Sequence, residues 1–302
     1  MEEMRKIAKD LLSKGEVGVV IGYEKGPRGT RPVFITEAED ADKLMFDETC
    51  VQNLATYLSP RRSHVRHEGK PAVVVKGCDA AAVAAMMRES QVKREDFVLI
   101  GVRCGGVLAQ PGSDEKLTAE TVADRCLRCT LQEPTLVDHL VGPEGVEVPK
   151  PDLPENDEGE AFQNRRDVRL KKLMAMDGDQ RFAFWKDEFA RCIRCNACRQ
   201  VCPMCFCEQC LQDKTRPVWI ESSPHLRGNL AWHISRALHH AGRCVDCGDC
   251  ERACPVGLLL FFINHYLMRV VERRFGFKIT DDPEDEEPIG TYRLDDEEEF
   301  IL

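Results

Sequence analysis

Two stretches of the sequence repeat one pattern of cysteines, C-x2-C-x2-C-x3-C, and a proline follows each copy. The first copy runs from Cys192 to Cys202 and the second from Cys244 to Cys254. Spacings of two residues let a tight loop place three thiolates at three corners of a 4Fe-4S cubane. Four-cysteine zinc sites need only C-x2-C pairs, so the third cysteine and the proline of each copy favour iron–sulfur chemistry over zinc.

This part of the chain resembles the bacterial two-cluster ferredoxins, with a long insertion of 41 residues between Cys202 and Cys244. In those proteins the fourth cysteine of each copy binds the other copy's cluster. The resemblance implies two 4Fe-4S clusters, whose ligands we name set one and set two. Set one is Cys192, Cys195, Cys198 and Cys254, and set two is Cys202, Cys244, Cys247 and Cys250.

Four further cysteines lie in the first half of the chain. Cys78 and Cys104 each follow a predicted parallel strand, where α/β proteins form ligand crevices, and a C-x2-C pair comes next. We name this quartet the N-terminal set: Cys78, Cys104, Cys126 and Cys129. Four thiols suit zinc or a cubane, and spacing alone does not separate the two. In the alternative, Cys78 and Cys104 are small buried residues and only the C-x2-C pair is reactive.

The runs "KGCD", "GVRCGGV" and "CLRCTLQEPTLVDHLVG" resemble the β-subunit family of deazaflavin-reducing hydrogenases and formate dehydrogenases over about residues 15 to 145. Asp138 and Gly142 match the ending of the family's C-x2-C stretch. The resemblance implies that the N-terminal set holds a third 4Fe-4S cluster. Flavin-binding members carry a glycine- and serine-rich loop for FAD, and this chain has only "GYEKGPRGTRP" there, which argues against FAD and hydride transfer in this subunit.

Four of the sixteen cysteines remain, and we name them the spare thiols: Cys50, Cys205, Cys207 and Cys210. The C-x-C-x2-C part would place three sulfurs on one loop, where Cys50 or a histidine such as His233 would complete a fourth metal site. Alternatively, the spare thiols pack as small apolar residues or donate weakly to cluster sulfides. The sequence leaves both readings open.

Other conspicuous residues have ordinary interpretations. The predicted helix "GNLAWHISRALHHAG" has an apolar stripe that we expect to pack over the clusters, formed by Leu230, Ile234, Ala237, Leu238 and Ala241. His239 and His240 near its end suit the helix dipole better than a metal. Lys76 and Arg243 stand beside cysteines and either offset cluster charge or face solvent.

The elements that must position these cysteines divide the chain in two. Apolar runs alternate with helical patterns through residue 147, which predicts an α/β domain with a mostly parallel sheet and a βαβ unit whose helix Asp79 caps. Proline and acidic residues predict a linker at 148–160. Residues 161–280 predict an α+β ferredoxin-like two-cluster domain with a helical insertion and a C-terminal helix, and 281–302 form an acidic tail.

Charge and composition narrow the function classes. The tail holds eleven acids against Arg293 alone, which accounts for the whole net charge of −10. We therefore expect no nucleic-acid partner, and the tail's apolar residues favour docking on a partner subunit. No apolar run reaches the length of a membrane span, and the cysteine-rich chain without a signal peptide is expected in a reducing cytoplasm. Dinucleotide, P-loop and Ser-His-Asp motifs are absent from the sequence.

The sequence thus predicts an electron-transfer subunit without catalysis of its own, of the kind that redox complexes use in anaerobes. It would relay single electrons between a carrier and a catalytic partner of hydrogenase, formate dehydrogenase or heterodisulfide reductase type. The alternative is an FAD-containing β subunit that itself oxidises or reduces a nicotinamide or deazaflavin carrier. A zinc-based assembly or regulatory protein is the third reading.

Overall fold

The N-terminal half of the chain, residues 1–147, is built on one five-stranded sheet. The computed structural model describes residues 1–62, 69–112, 115–152, 165–288, 290–292 and 294. The strand order is β2-β1-β3-β4-β5; β1 and β2 form an antiparallel hairpin and the other neighbours pair in parallel. The bounds are β1 Val19–Gly26, β2 Gly29–Ile35, β3 Pro71–Val75, β4 Val98–Val102 and β5 His139–Val141. The predicted mixed α/β fold with a mostly parallel sheet is therefore confirmed.

Helices cover both faces of this sheet. Helix α1 (Glu2–Ser13) buries Met4, Ala8 and Leu11 against one face. Helix α2 (Gly77–Arg88) joins β3 to β4 and packs its alanine-rich surface on the other face. Every residue of β3 is buried, as expected for a central parallel strand covered on both sides. The carboxylate of Asp79 accepts a hydrogen bond from the backbone N–H of Lys76 at 2.8 Å, so the predicted cap of α2 is present.

The C-terminal half, residues 161–280, is a set of helices joined by the two cysteine loops. A short helix begins one residue before the third cysteine of each loop and contains it, and the longer helices surround the loops. The helices are α3 Arg165–Met174, α4 Gly178–Ala190, α5 Ala197–Gln200, α6 Leu226–His239, α7 Asp249–Arg252 and α8 Leu260–Phe275. Among the described residues, no helix combines the length and apolar composition needed to cross a membrane.

The two halves share one core. Met204, Phe206 and Val245 of the C-terminal half pack into the same buried cluster as β1, β3 and α2. Val148, where the predicted linker begins, is buried beside Val107 of the N-terminal half. Residues 153–160 of that linker lie outside the described part of the chain.

The predicted tail begins with packed residues. The Asp281 carboxylate accepts hydrogen bonds from the backbone N–H groups of Thr135 at 2.5 Å and Leu136 at 3.3 Å. Arg88 pairs with Glu287 at 3.4 Å, and both side chains are buried. Residues 281–287 therefore fold onto the N-terminal half.

Candidate metal centres

The two cysteine loops have one backbone conformation. Arg194 and Asn196 adopt left-handed φ angles of 56° and 60°, and the residues 52 positions later, Asp246 and Gly248, adopt 57° and 69°. These turns aim backbone donors at sulfur: the N–H of Arg194 donates to Cys192 Sγ at 3.4 Å, and the N–H of Asp246 donates to the sulfur of Cys244. The repeated spacing thus produces two equivalent loops that wrap around a centre.

Set one combines residues of both loops, as the ferredoxin resemblance implies. Cys192, Cys198 and Cys254 lie in one apolar cluster with Phe189 and Leu258. The backbone N–H of Leu258 donates to Cys254 Sγ at 3.3 Å. The remaining member, Cys195, is exposed to solvent. This centre therefore has one side at the molecular surface.

Set two lies deeper. Its four cysteines line one small cavity together with Met204 and Phe261. Burial, and then the Asp246 carboxylate, raise the pKa of Cys244 to about 12. Burial also raises the pKa of Cys247 well above its usual range. Such buried thiols keep their protons in the absence of metal. A bound metal ion would replace these protons and pair with the thiolates.

The N-terminal set lines a larger cavity of about 400 Å³ between the two halves. Burial raises the pKa of Cys104 to about 11 and that of Cys129 to about 12. Gly77 brings the C-x2-C loop to the start of α2, because a Cβ there would lie 1.7 Å from the backbone oxygen of Leu131. The two strand ends and the C-x2-C pair therefore meet, as the sequence predicts.

The sulfur atoms of each set are spread more widely than the ligands of a tetrahedral zinc ion. Zinc–sulfur bonds of about 2.3 Å place tetrahedral ligand sulfurs about 3.8 Å apart, whereas a cubane holds its ligands farther apart. In the described part of the chain, no three sulfurs of any one set lie within 4.8 Å of one another. As they stand, the cysteines of each set are therefore not arranged as a tetrahedral zinc site.

Two buried arginines that the sequence analysis missed lie between the sets. Arg236 of α6 is near Cys198 of set one and Cys202 of set two; burial alone would lower its pKa, but the surrounding thiols raise it well above the usual value. Arg125 donates hydrogen bonds to the backbone oxygens of Cys247 and, at 2.8 Å, Val51. Each guanidinium offers positive charge where thiolate-ligated clusters would carry negative charge.

Lys76 is buried, so of the two interpretations offered by the sequence the one in which it faces solvent is wrong. Its ammonium donates to the Asp79 carboxylate at 2.8 Å and to the backbone oxygen of Gln52 at 2.7 Å. Burial lowers the pKa of Lys76, but Asp79 and the Tyr23 hydroxyl outweigh burial and raise it well above its usual range. Lys76 also lines the cavity of the N-terminal set, so its charge faces those cysteines.

The face of α6 that turns inward differs from the predicted apolar stripe. Ile234 is 45% exposed and Leu238 is 58% exposed, so the prediction that they pack over the clusters is wrong. The buried face is instead polar, and its members are Asn229, Trp232, His233, Arg236 and Ala237. Its polar groups satisfy loop carbonyls; Asn229, for example, donates to the backbone oxygens of Phe189 at 3.0 Å and Cys192 at 2.9 Å.

The spare thiols have different surroundings. The Cys50 sulfur accepts from the N–H of Asp47 at 3.4 Å, and burial raises its pKa to about 12. Cys207 is exposed and Cys210 is half-buried, whereas Cys205 lies 3.3 Å from Nε2 of His240. His233, the suggested completing ligand, stacks on Phe189 with ring centroids 4.5 Å apart. The histidine at the spare thiols is therefore His240, which the sequence analysis assigned to the helix dipole.

Comparison with known proteins agrees with this geometry. Residues 188–258 match the 4Fe-4S dicluster domain. The chain is 22% identical to the F420-dependent formate dehydrogenase subunit beta of Methanocaldococcus jannaschii, over 89% of each chain. It is also 22% identical to the F420-dependent formate dehydrogenase 1 subunit beta of Methanococcus maripaludis, over 67% of this chain and 71% of the relative. The resemblance to an iron–sulfur β-subunit family with a two-cluster 4Fe-4S domain is therefore confirmed.

Proposed function

We propose that this chain is an iron–sulfur electron-transfer subunit that relays single electrons between a catalytic oxidoreductase and a carrier. Sets one and two would hold two 4Fe-4S clusters and the N-terminal set a third. Each cluster supplies one-electron redox chemistry. The protein supplies the spacing, burial and charge around the ligands. The observation that carries this proposal is the serial arrangement of the three ligand sets.

Set two lies between the other two sets. It shares Arg236 with set one, since that guanidinium interacts with thiols of both. On its other side, Val245 and Asp246 of the set two loop line the cavity of the N-terminal set. Arg125, which neighbours Cys126, donates to the Cys247 backbone oxygen. This order would lead electrons from one half of the protein to the other.

Set one is the end of this series that faces solvent. Cys195 is exposed, and beside it Ile193 is 54% exposed. The cysteines of set two are half-buried (Cys202 and Cys244) or buried (Cys247 and Cys250). Electron exchange with another protein requires close approach, so a one-electron partner would dock at the Cys195 side.

The names of the relatives support a proposal for the partner and the carrier. Both are named as β subunits of F420-dependent formate dehydrogenases. We propose a partner of formate dehydrogenase, hydrogenase or heterodisulfide reductase type and a deazaflavin as the distal carrier. Sixteen free cysteines suit a reducing cytoplasm of an anaerobe. The acidic tail would dock on a partner subunit.

The cavity of the N-terminal set favours one second candidate. Its volume of about 400 Å³ lies within the roughly 300–1,000 Å³ of small-molecule sites, and both halves line it. An FAD there would make this chain a β subunit that itself reduces or oxidises a nicotinamide or deazaflavin carrier. Lys150 and Lys278 at this cavity could meet a phosphate group.

One anaerobic purification separates these candidates. Iron, acid-labile sulfide, zinc and flavin would be measured on the same full-length sample. The relay predicts about twelve irons per chain without flavin, rising to about sixteen if the spare thiols also hold a cubane. About eight irons with zinc would exclude the third cluster, and one flavin per chain would establish the second candidate. Zinc with no iron would refute both.

A further inference from the structure

The half-buried Cys205 and the buried His240 lie beside Cys202. Nε2 of His240 lies 3.3 Å from Cys205 Sγ and 3.8 Å from Cys202 Sγ. The three ligand atoms all lie within 4.8 Å of one another. Cys202 belongs to set two, but neither ferredoxin copy requires Cys205 or His240. The sequence motif therefore leaves this pair without a role.

The local fold holds the two sulfurs together. The backbone N–H of Cys205 donates to the Cys202 oxygen at 3.2 Å, which closes a tight turn through Pro203 and Met204. Met204 and Phe206 anchor this turn in the core shared by both halves. The Sγ atoms of Cys202 and Cys205 lie within 4.8 Å of each other. The turn thus presents a second sulfur directly beside the ligand sulfur.

His240 is fixed from both sides. Its backbone N–H donates to the Arg236 oxygen at 3.2 Å, and its own oxygen accepts from the N–H of Cys244 at 2.9 Å. Its side chain is buried, with 3% of the residue exposed. The imidazole therefore stays at the sulfurs, where water does not compete for its N–H.

A metal ion of its own fits this group poorly. The group offers three ligands, and one of them is Cys202, which set two requires as its fourth sulfur. A zinc ion held here would take that ligand from the cluster. Hydrogen bonding uses all three residues without this conflict.

We propose that Cys205 donates a hydrogen bond to the iron-bound sulfur of Cys202, and that His240 holds Cys205 in position. This inference rests on the proposed function. A thiolate bound to iron has no proton and only accepts, so in a hydrogen bond between these two sulfurs the thiol of Cys205 is the donor. Nε2–H of His240 then donates to the Cys205 sulfur. Cys205 and His240 are positioning residues of the set two cluster.

The two ferredoxin copies differ at this position. The residue 52 positions after Cys205 is Gly257, which has no side chain, so the fourth ligand of set one lacks the equivalent thiol. Hydrogen bonds to ligand sulfur stabilise the more negative, reduced cluster and raise its reduction potential. The pair therefore raises the potential of the set two cluster.

The test is an anaerobic redox titration monitored by electron paramagnetic resonance on the full-length, cluster-loaded chain. In Cys205→Ala and His240→Leu, one midpoint potential shifts negative while the iron content and the other potentials stay unchanged. Cys205→Ser and His240→Gln retain a donor and give a smaller shift. Cys210→Ala removes another spare thiol of the same segment and leaves every potential unchanged.

Two results would overturn the inference. Loss of about four irons in Cys205→Ala would show that Cys205 is a cluster ligand. Unchanged midpoint potentials in both Cys205→Ala and His240→Leu would show that the pair does not donate a hydrogen bond that affects the cluster. If His240→Leu does not fold, the two Cys205 variants decide alone. A wild-type chain without iron would refute the proposed function itself, and the iron assay shows this before any variant is made.

Discussion

The two cysteine loops of the C-terminal half have the same backbone and different surroundings. In the first loop, Ile193 is 54% exposed and Ala197 begins the short helix α5. The residues 52 positions later are Val245, which is 6% exposed, and Asp249, which begins α7. The cysteines determine the shape of each loop, and the residues between them determine whether the loop faces solvent or the N-terminal half.

Asp249 shows how this difference arises. Its carboxylate accepts from the backbone N–H of Asn53 at 2.8 Å and pairs with Arg125 at 3.6 Å and with Arg252. The alanine at the equivalent position of the first loop offers no such contact. One buried acid thus joins the second loop to the N-terminal half, beside the N-terminal set.

The largest expected effect tests whether these contacts between the second loop and the N-terminal half make the ligand sets depend on one another. Cys126→Ser should remove one cluster, or about four irons, and leave the two ferredoxin signals visible by electron paramagnetic resonance, because sets one and two keep all their ligands. Cys207→Ser, at an exposed spare thiol, serves as the control and should keep every iron. Simultaneous loss of all signals would show that the N-terminal set cannot be separated from set two.

The next prediction concerns a substitution that gives the second loop the alanine found at the equivalent position of the first loop. Asp249→Ala removes the carboxylate and leaves the buried guanidinium of Arg125 without its acidic partner. Breaking a buried ion pair on one side costs about 3–5 kcal/mol. Anaerobic denaturant unfolding should therefore show a fall of that size in the free energy of unfolding. Asp187→Ala on the exposed surface of α4 should change it by less than about 0.5 kcal/mol.

If the free energy of unfolding falls by less than about 1 kcal/mol in Asp249→Ala, the Asp249 carboxylate is not what holds the two halves together. The second loop would then be held against the N-terminal half mainly by the apolar contacts of Met204, Phe206 and Val245.

The grouping of the cysteines into loops could be predicted from the sequence because their spacing is local. Three of the four members of each ferredoxin set lie within seven consecutive residues, and the mostly parallel sheet follows from apolar runs and a capped helix. Arg125, Arg236 and His240 carry no such pattern. Their partners are backbone oxygens and thiols that tertiary packing brings from distant segments, so no spacing in the sequence marks them.

The error on α6 has the same origin. A helix in a globular protein usually buries its apolar stripe, and that rule selected Ile234 and Leu238. The loops against which α6 packs present carbonyls and thiols, which need hydrogen-bond donors and positive charge. The face that carries Asn229, His233 and Arg236 therefore turns inward, and Ile234 and Leu238 remain at the surface.

Each loop faces one histidine, His233 of α6 or His240, the residue that follows α6. His240 meets sulfur at the second loop, whereas His233 stacks on Phe189 at the first loop and its Nε2 has no hydrogen-bond partner among the described residues. Burial lowers the pKa of His233 to about 3. As pH falls below the unfolded pKa of about 6.5, only the unfolded chain takes up this proton, so stability is lost on acidification.

His233→Phe should remove this loss and keep the stack. Between pH 7.5 and pH 5.5, the free energy of unfolding should fall by about 1 kcal/mol less in the variant than in the wild type. Denaturant unfolding of the loaded chain at both pH values measures the difference. His139→Gln should follow the wild type. Equal pH dependence in His233→Phe and the wild type would mean that His233 titrates normally in the folded chain.

The smallest effect on the chain itself concerns the acidic tail. Asp281 and Glu287 are buried against the N-terminal half, whereas Tyr292 is 83% exposed and Leu294 is 99% exposed. A deletion of 289–302 therefore spares the packed contacts, while a deletion from residue 281 would remove them. The shorter deletion should leave the cluster content unchanged and alter the free energy of unfolding by less than about 0.5 kcal/mol.

The same deletion should weaken binding of the catalytic partner. Aromatic and apolar anchors supply most of the binding energy at such surfaces, and the acids around them add steering that salt screens. Co-purification of the partner should fall in the deletion variant, and binding of the full-length chain should weaken as salt rises. Changing Tyr292 and Leu294 to Ser tests the anchors while keeping the charge. If both variants assemble and pass electrons like the wild type, the tail is not a docking segment and acts through its charge alone.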